Sequence, residues 1–204
     1  NKVHAETSTG SVSGITIALP KANALFYGTV KDGSSQPVAG INLSSQDGNN
    51  GTFEQNANSD ANGNYFTGAF GDNNSPWRIQ TGSDSNPANY IFSSPNFDYN
   101  QSGGTNLSPG QALHVNFTAL LATNQITGHL QDHNSNAIAN VQIIATATIA
   151  GENFQAQIDT DGSGNYSLNV ANGTWSVSVS CQGGNDSLDN VLGNGTYQCP
   201  AGQN

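Results

Sequence analysis

Apolar and polar residues alternate along most of this chain in short runs. Residues 10–20, GSVSGITIALP, and residues 110–121, GQALHVNFTALL, both start at a glycine and then alternate. In the later run Leu113, Val115, Phe117 and Ala119 share one face of an extended strand, and His114, Asn116 and Thr118 share the other. Thr174 to Cys181 is a further alternating run, bounded like the rest by clusters of Gly, Asn, Asp and Ser, the residues that turns require. No helical period emerges. The pattern predicts an all-β chain.

A repeat of about one hundred residues organises these runs. FYGTVKDGSSQPVAGINL at 26–43 aligns without a gap on ITGHLQDHNSNAIANVQI at 126–143, matching Gly28 with Gly128, Asp32 with Asp132, and Val38 and Ile41 with Ile138 and Val141. After a one-residue shift, SDANGNYFTGAF at 59–70 meets TDGSGNYSLNVA at 160–171. Further on, PWRIQTG at 76–82 meets TWSVSVSC at 174–181. SPGQ at 108–111 resembles CPAGQ at 199–203. Two similar all-β units predict two sandwiches with polar loops at their ends, joined by a connector at 120–125 too short to allow much freedom.

The order of these motifs resembles the carboxypeptidase-regulatory-like domains, transthyretin-like β-sandwiches related in shape to the Cna-B modules of surface proteins. The shared features are Gly-x-Val/Leu-x-Asp, then Asp-x-x-Gly-Asn-Tyr, then a Trp-led alternating strand, covering residues 25–119 once and 125–183 again. The resemblance implies two tandem Ig-like or transthyretin-like sandwiches, of the kind that serve as stalks or spacers. On this reading residues 1–22 are an N-terminal strand and connector, 23–121 the first sandwich and 122–204 the second.

One strand lacks its repeat partner. In the first unit SPGQ leads into ALHVNFTALL, the closing strand, whereas CPAGQ is followed by Asn204 alone. Residues 10–19 carry the absent pattern at an offset of one hundred, with Ile15 for Val115, Ile17 for Phe117 and Leu19 for Ala119. A sandwich without a strand exposes apolar side chains and a row of unpaired backbone groups. Closing it from the same chain would require a connector of at most ~20 Å to cross a sandwich of about 40 Å. Strand addition from another molecule has no such limit, and because it is heterologous it generates an open filament unless a ring closes. The expected donor-strand residues are Val12, Ile15, Ile17 and Leu19. The alternative is a segment of a long tandem-repeat surface stalk or adhesin.

Composition narrows the partners. Of 204 residues, four are Lys or Arg and fourteen Asp or Glu, a net charge of −10, so no basic stripe is available for nucleic acid or anionic lipid. No apolar run is long enough to span a bilayer, and the first residues lack both a Met and a signal-like core, which reads as a processed or excised chain. Cys181 and Cys199 flank a Gly- and Asn-rich loop, and a disulfide between them would suit an extracellular location.

Candidate chemistry is sparse. His4, His114, His129 and His133 are scattered and do not assemble a zinc site. The runs at 60–64 and 159–164 are oxygen-rich like a calcium loop, with Asp159 and Asp161 the better ligands, but both lack a distal acid and both sit where a turn is needed. No metal or cofactor is therefore expected. Trp77 and Trp175 share strand faces with Ile79 and with Val177, Val179 and Cys181, which places them in cores and not on a sugar-stacking platform. The insert NYIFSSPNFDYN at 89–100 has no full counterpart in the second repeat, so Tyr90, Phe92, Phe97 and Tyr99 are candidates for a subunit or glycan contact or a cover over the strands below. The sequence thus predicts a non-enzymatic structural protein of the cell surface whose partners are copies of itself.

Overall fold

The computed structural model describes residues 10–11, 13–16, 21–48, 53–71, 75–81, 89–94, 104–181 and 185–193. It is almost wholly β, as the alternation predicts. In the first repeat, β1 (Ala24–Asp32) turns Ala24, Phe26, Gly28 and Val30 inward. The strands β2 (Asn42–Asp47), β3 (Glu54–Asn58) and β5 (Trp77–Thr81) form one sheet in the order β3-β2-β5. The other sheet runs β4-β1-β8-β6, from β4 (Asn64–Ala69), β6 (Tyr90–Phe92) and β8 (Phe117–Leu121). A short strand β7 (Ala112–His114) also pairs with β1.

One core lies between these sheets. Phe26, Val30, Tyr65 and Phe117 from one meet Leu43, Trp77 and Ile79 from the other, and removing such area from water is the main source of stability. The strands β7 and β8 run parallel to β1 in one continuous register, Leu25 opposite Ala112 and Val30 opposite Phe117. Between them Val115, buried as its parity predicts, donates its N–H to the Tyr27 carbonyl at 2.8 Å.

The second repeat rebuilds the first five strands in the same order. The strands β9 (Asn124–His129) and β12 (Asn165–Val170) pair antiparallel, with Gly128 opposite Tyr166 as Gly28 is opposite Tyr65. The strands β10 (Gln142–Ile149), β11 (Glu152–Asp159) and β13 (Ser176–Val179) form a sheet in the order β11-β10-β13. A five-residue helix, α1 (Leu188–Leu192), follows and rests Leu188 beside Ile138 and Val141. The absence of a helical period predicts no helix, and one turn of helix is too short for periodicity to register.

Turn chemistry shows why the repeat motifs recur. Asp60 Oδ1 accepts the N–H groups of Asn62 and Asn64, and Asp161 Oδ1 accepts those of Ser163 and Asn165, each at 2.8 Å. Asp32 and Asp132 close the turns after β1 and β9 in the same way. The glycine of each Gly-Asn-Tyr, Gly63 or Gly164, has φ +76°, a conformation that penalises a Cβ, and its carbonyl accepts Val30 or Leu130 N–H at 2.8 Å. Ser59 and Thr160 repeat a further bridge, each hydroxyl accepting from the backbone of Ile41 or Val141 and donating to Val38 or Ile138.

Three of these aspartates titrate with the fold. The Asn64 backbone N–H lowers the Asp60 pKa, the side-chain amide of Asn136 lowers that of Asp132, and the Asn165 backbone N–H lowers that of Asp161. A depressed carboxyl pKa contributes stability that is present above the unfolded value of 3.8 and is lost as pH falls through the folded value. Thermal melts between about pH 5 and pH 2 are expected to show this acid limb. Replacing Asp60, Asp132 and Asp161 together by Asn, which still accepts hydrogen bonds but carries no titrating proton, is expected to flatten it. An unchanged slope would count against the turns as its source.

Candidate functional site

The first repeat shows how this sandwich is closed. Gly28 lies at the centre of β1, and a Cβ built there would overlap the Val115 carbonyl oxygen and lie 2.7 Å from its carbon. Glycine in a strand interior marks such a close backbone approach. Beside it the Tyr65 hydroxyl donates to the Val115 carbonyl at 2.6 Å, fully within the core. Burial pushes the Tyr65 phenol pKa far up, so it stays protonated and remains a donor. On the next residue, Asn116 Oδ1 accepts Thr29 N–H at 3.0 Å.

The second repeat lacks that closure among the described residues. The strand β9 pairs with β12 alone, in a sheet of two strands, and the edge that β1 gives to β7 and β8 has no partner strand there. The side chains register the difference. Phe26 and Val30 are fully buried, whereas their counterparts Ile126 and Leu130 are only half-buried against a smaller core of Ile143, Ala145, Leu168 and Val170. Tyr65 is 4% exposed and its counterpart Tyr166 half-buried. Above Gly128, where the first repeat holds the Val115 peptide, lies the Tyr166 ring itself, its Cε1 2.8 Å from a Cβ built on the glycine.

Of the expected donor residues, Ile15 is described. It is 47% exposed and outside any strand. Val12, Ile17 and Leu19 lie outside the described residues, as does Cys199. Cys181 is buried, and no free cysteine stands among the described residues.

The insert has a role that its composition does not reveal. Tyr90 and Phe92 pack half-buried against the first core, in the strand β6 that borders β8. Its next residues cross to the second repeat, where Ser93 bridges Phe154 and Ser94 N–H bonds the Asn153 carbonyl at 2.8 Å. Ile91, Phe154 and Ala171 form a small buried cluster there with Leu120, Ile149 and Trp175. The available signal was the parity of Ile91, which points opposite to Tyr90 and Phe92. Phe97 and Tyr99 lie outside the described residues.

The remaining candidates are dispersed. Trp77 is buried in the first core. Trp175 is half-buried and donates its Nε1 hydrogen to the Ala171 carbonyl at 3.0 Å; Val177, placed on the same face by parity, is instead exposed. His114, His129 and His133 are exposed, and His4 lies outside the described residues. Asp161 is occupied as a turn acceptor and Asp159 ends β11 in solvent. Among the described residues no three His, Cys, Asp or Glu side chains form a metal-binding group, and no helix is long and apolar enough to cross a membrane.

No family model matches this chain, and no curated protein matches it. Among solved structures it is similar to a streptococcal ancillary pilin, with 8% identity over 76% of this chain and 53% of that one and a TM-score of 0.35. It is also similar to the Bacillus anthracis TIE protein, with 12% identity over 78% and 28% and a TM-score of 0.34, and to the shaft pilin SpaA of Lactobacillus rhamnosus GG, with 9% identity over 76% and 86% and a TM-score of 0.33. The chain spans about half the length of the ancillary pilin. Likeness at this level carries no weight for function, which rests on the open edge of β9.

Proposed function

We propose that this protein is a structural subunit of an extracellular fibre, in which residues 10–19 of one copy complete the second repeat of the next by pairing with β9. The observation that carries this is the edge of β9, which has no partner strand among the described residues where β1 has one, together with the repeat of that partner's pattern at residues 10–19. Burial of Ile15, Ile17 and Leu19 would contribute about 5–8 kcal/mol before ordering costs, and ladder hydrogen bonds would add to it. Because the donor and acceptor surfaces differ, each copy offers a free donor and a free acceptor, and growth is head to tail.

The same reading treats the repeats as transthyretin-like modules, pairs Cys181 with Cys199 in an oxidising compartment, and assigns the protein no catalysis. Its test is a charge in the donor strand. The full chain is expected to form fibres visible by negative stain and pelleting on centrifugation, and the Ile15→Asp/Ile17→Asp variant is expected to remain monomeric. Fibres undiminished by both charges would defeat the proposal. A wild-type chain that never assembles would favour a passive stalk, whose adhesive role would show as glycan affinity.

A further inference from the structure

The two repeats hold the same Gly and Tyr pair in two different arrangements. In the first, the space above Gly28 is filled by the Val115 peptide, and the Tyr65 hydroxyl donates to its carbonyl from the side. In the second, no strand among the described residues lies there, and the Tyr166 hydroxyl and ring edge cover Gly128 directly. A strand arriving in the register of β7 and β8 would place the backbone of Ile15, the counterpart of Val115, where the Tyr166 ring now lies. Two groups cannot share that volume. The ring must turn aside, and the position Tyr65 takes beside Val115 shows where it can go.

We infer that Tyr166 is a latch for the incoming strand: its ring leaves Gly128, and its hydroxyl donates to the Ile15 carbonyl of the neighbouring copy. This rests on the fibre reading above and adds to it a register, a direction and a specificity device. The added strand runs parallel to β9, as β7 and β8 run parallel to β1. Only a strand whose carbonyl falls over Gly128 satisfies the phenol. A strand slipped by one residue would leave that hydroxyl buried without an acceptor and would turn its apolar face to solvent.

The two members of the pair are tested separately in the full chain. The variant Tyr166→Phe keeps the ring and loses the hydroxyl, so its fibres are expected to form and to release monomers in denaturant about tenfold faster than wild type. Gly128→Ala is expected to be tolerated in the free subunit, because the three atoms nearest the added carbon all belong to the outer end of the Tyr166 side chain, which can turn aside. It blocks the approach of a strand backbone, so folded monomers without fibres are expected. Tyr65→Phe is the control, lowering the melting temperature of the first repeat without changing the release rate. Wild-type release rates for Tyr166→Phe, or wild-type fibre yield for Gly128→Ala, overturn the latch. Should Gly128→Ala fail to fold, the Tyr166→Phe rate decides alone. Fibres that survive deletion of residues 1–20 overturn the fibre reading itself, whereas fibres lost on deletion but indifferent to Tyr166→Phe overturn the latch only.

Discussion

A chain lacking residues 1–20 is expected to sediment as a monomer and to melt in two steps, with the second repeat unfolding first. The first repeat retains its own closing strand, with Val115, Phe117 and Ala119 buried in its core. In the second, the cluster beneath β9 has four buried residues, Ile143, Ala145, Leu168 and Val170, with Ile126, Leu130 and Tyr166 only partly covered. Supplying the missing apolar face should therefore be read out as folding stability of that repeat, up to the ~5–8 kcal/mol expected for three buried aliphatic side chains. A synthetic peptide of residues 10–20 is expected to raise the lower transition alone, by about 2.7 kcal/mol at a hundredfold excess over its dissociation constant. Calorimetry separates the outcomes. A single transition indifferent to peptide would show that the second repeat does not depend on an added strand, as would polymer formed by the truncated chain.

The second large effect is expected from Gly28→Ala. Its Cβ would overlap the Val115 carbonyl, and both partners of that contact are backbone, Gly28 within β1 and Val115 in the two-residue link between β7 and β8, both of which pair with β1. Relief requires β7 to separate from β1. That would cost the Val115 N–H bond to Tyr27, the Tyr65 hydroxyl bond and the packing of Phe117. A loss of about 3 kcal/mol or more is expected, read by urea denaturation of the first repeat. The matched substitution Gly128→Ala is expected to cost the free subunit much less. Equal effects at the two glycines would mean that they do not occupy differently filled environments.

Local chemistry made much of this legible beforehand. Asp32, Asp60, Asp132 and Asp161 each fold their own turn through hydrogen bonds two and four residues ahead, so the motifs announce the turns wherever they occur. Strand parity likewise places Phe26, Val30, Val115 and Phe117 in the core. The same rule failed at Val177, which is exposed although its neighbours Trp175 and Val179 are partly covered. Alternation tells which side of a strand can be buried, and whether anything covers that side depends on the opposing sheet.

The site was half visible. Gly128 and the Gly-Asn-Tyr that contains Tyr166 stand out in the repeat, but their juxtaposition does not, because it arises from the register between β9 and β12. The junction formed by Ile91, Ser93 and Phe154 was equally hidden. By itself the sequence determined the all-β class, the turn positions, the internal repeat and the strand pattern shared by residues 10–19 and 110–119, all of which are encoded in neighbouring residues. Only the tertiary structure decided that β7 and β8 lie parallel to β1, that β9 lacks such a partner among the described residues, and that Tyr166 covers Gly128. Side-chain periodicity records faces, whereas strand pairing is made at edges by backbone groups that are nearly the same in every residue.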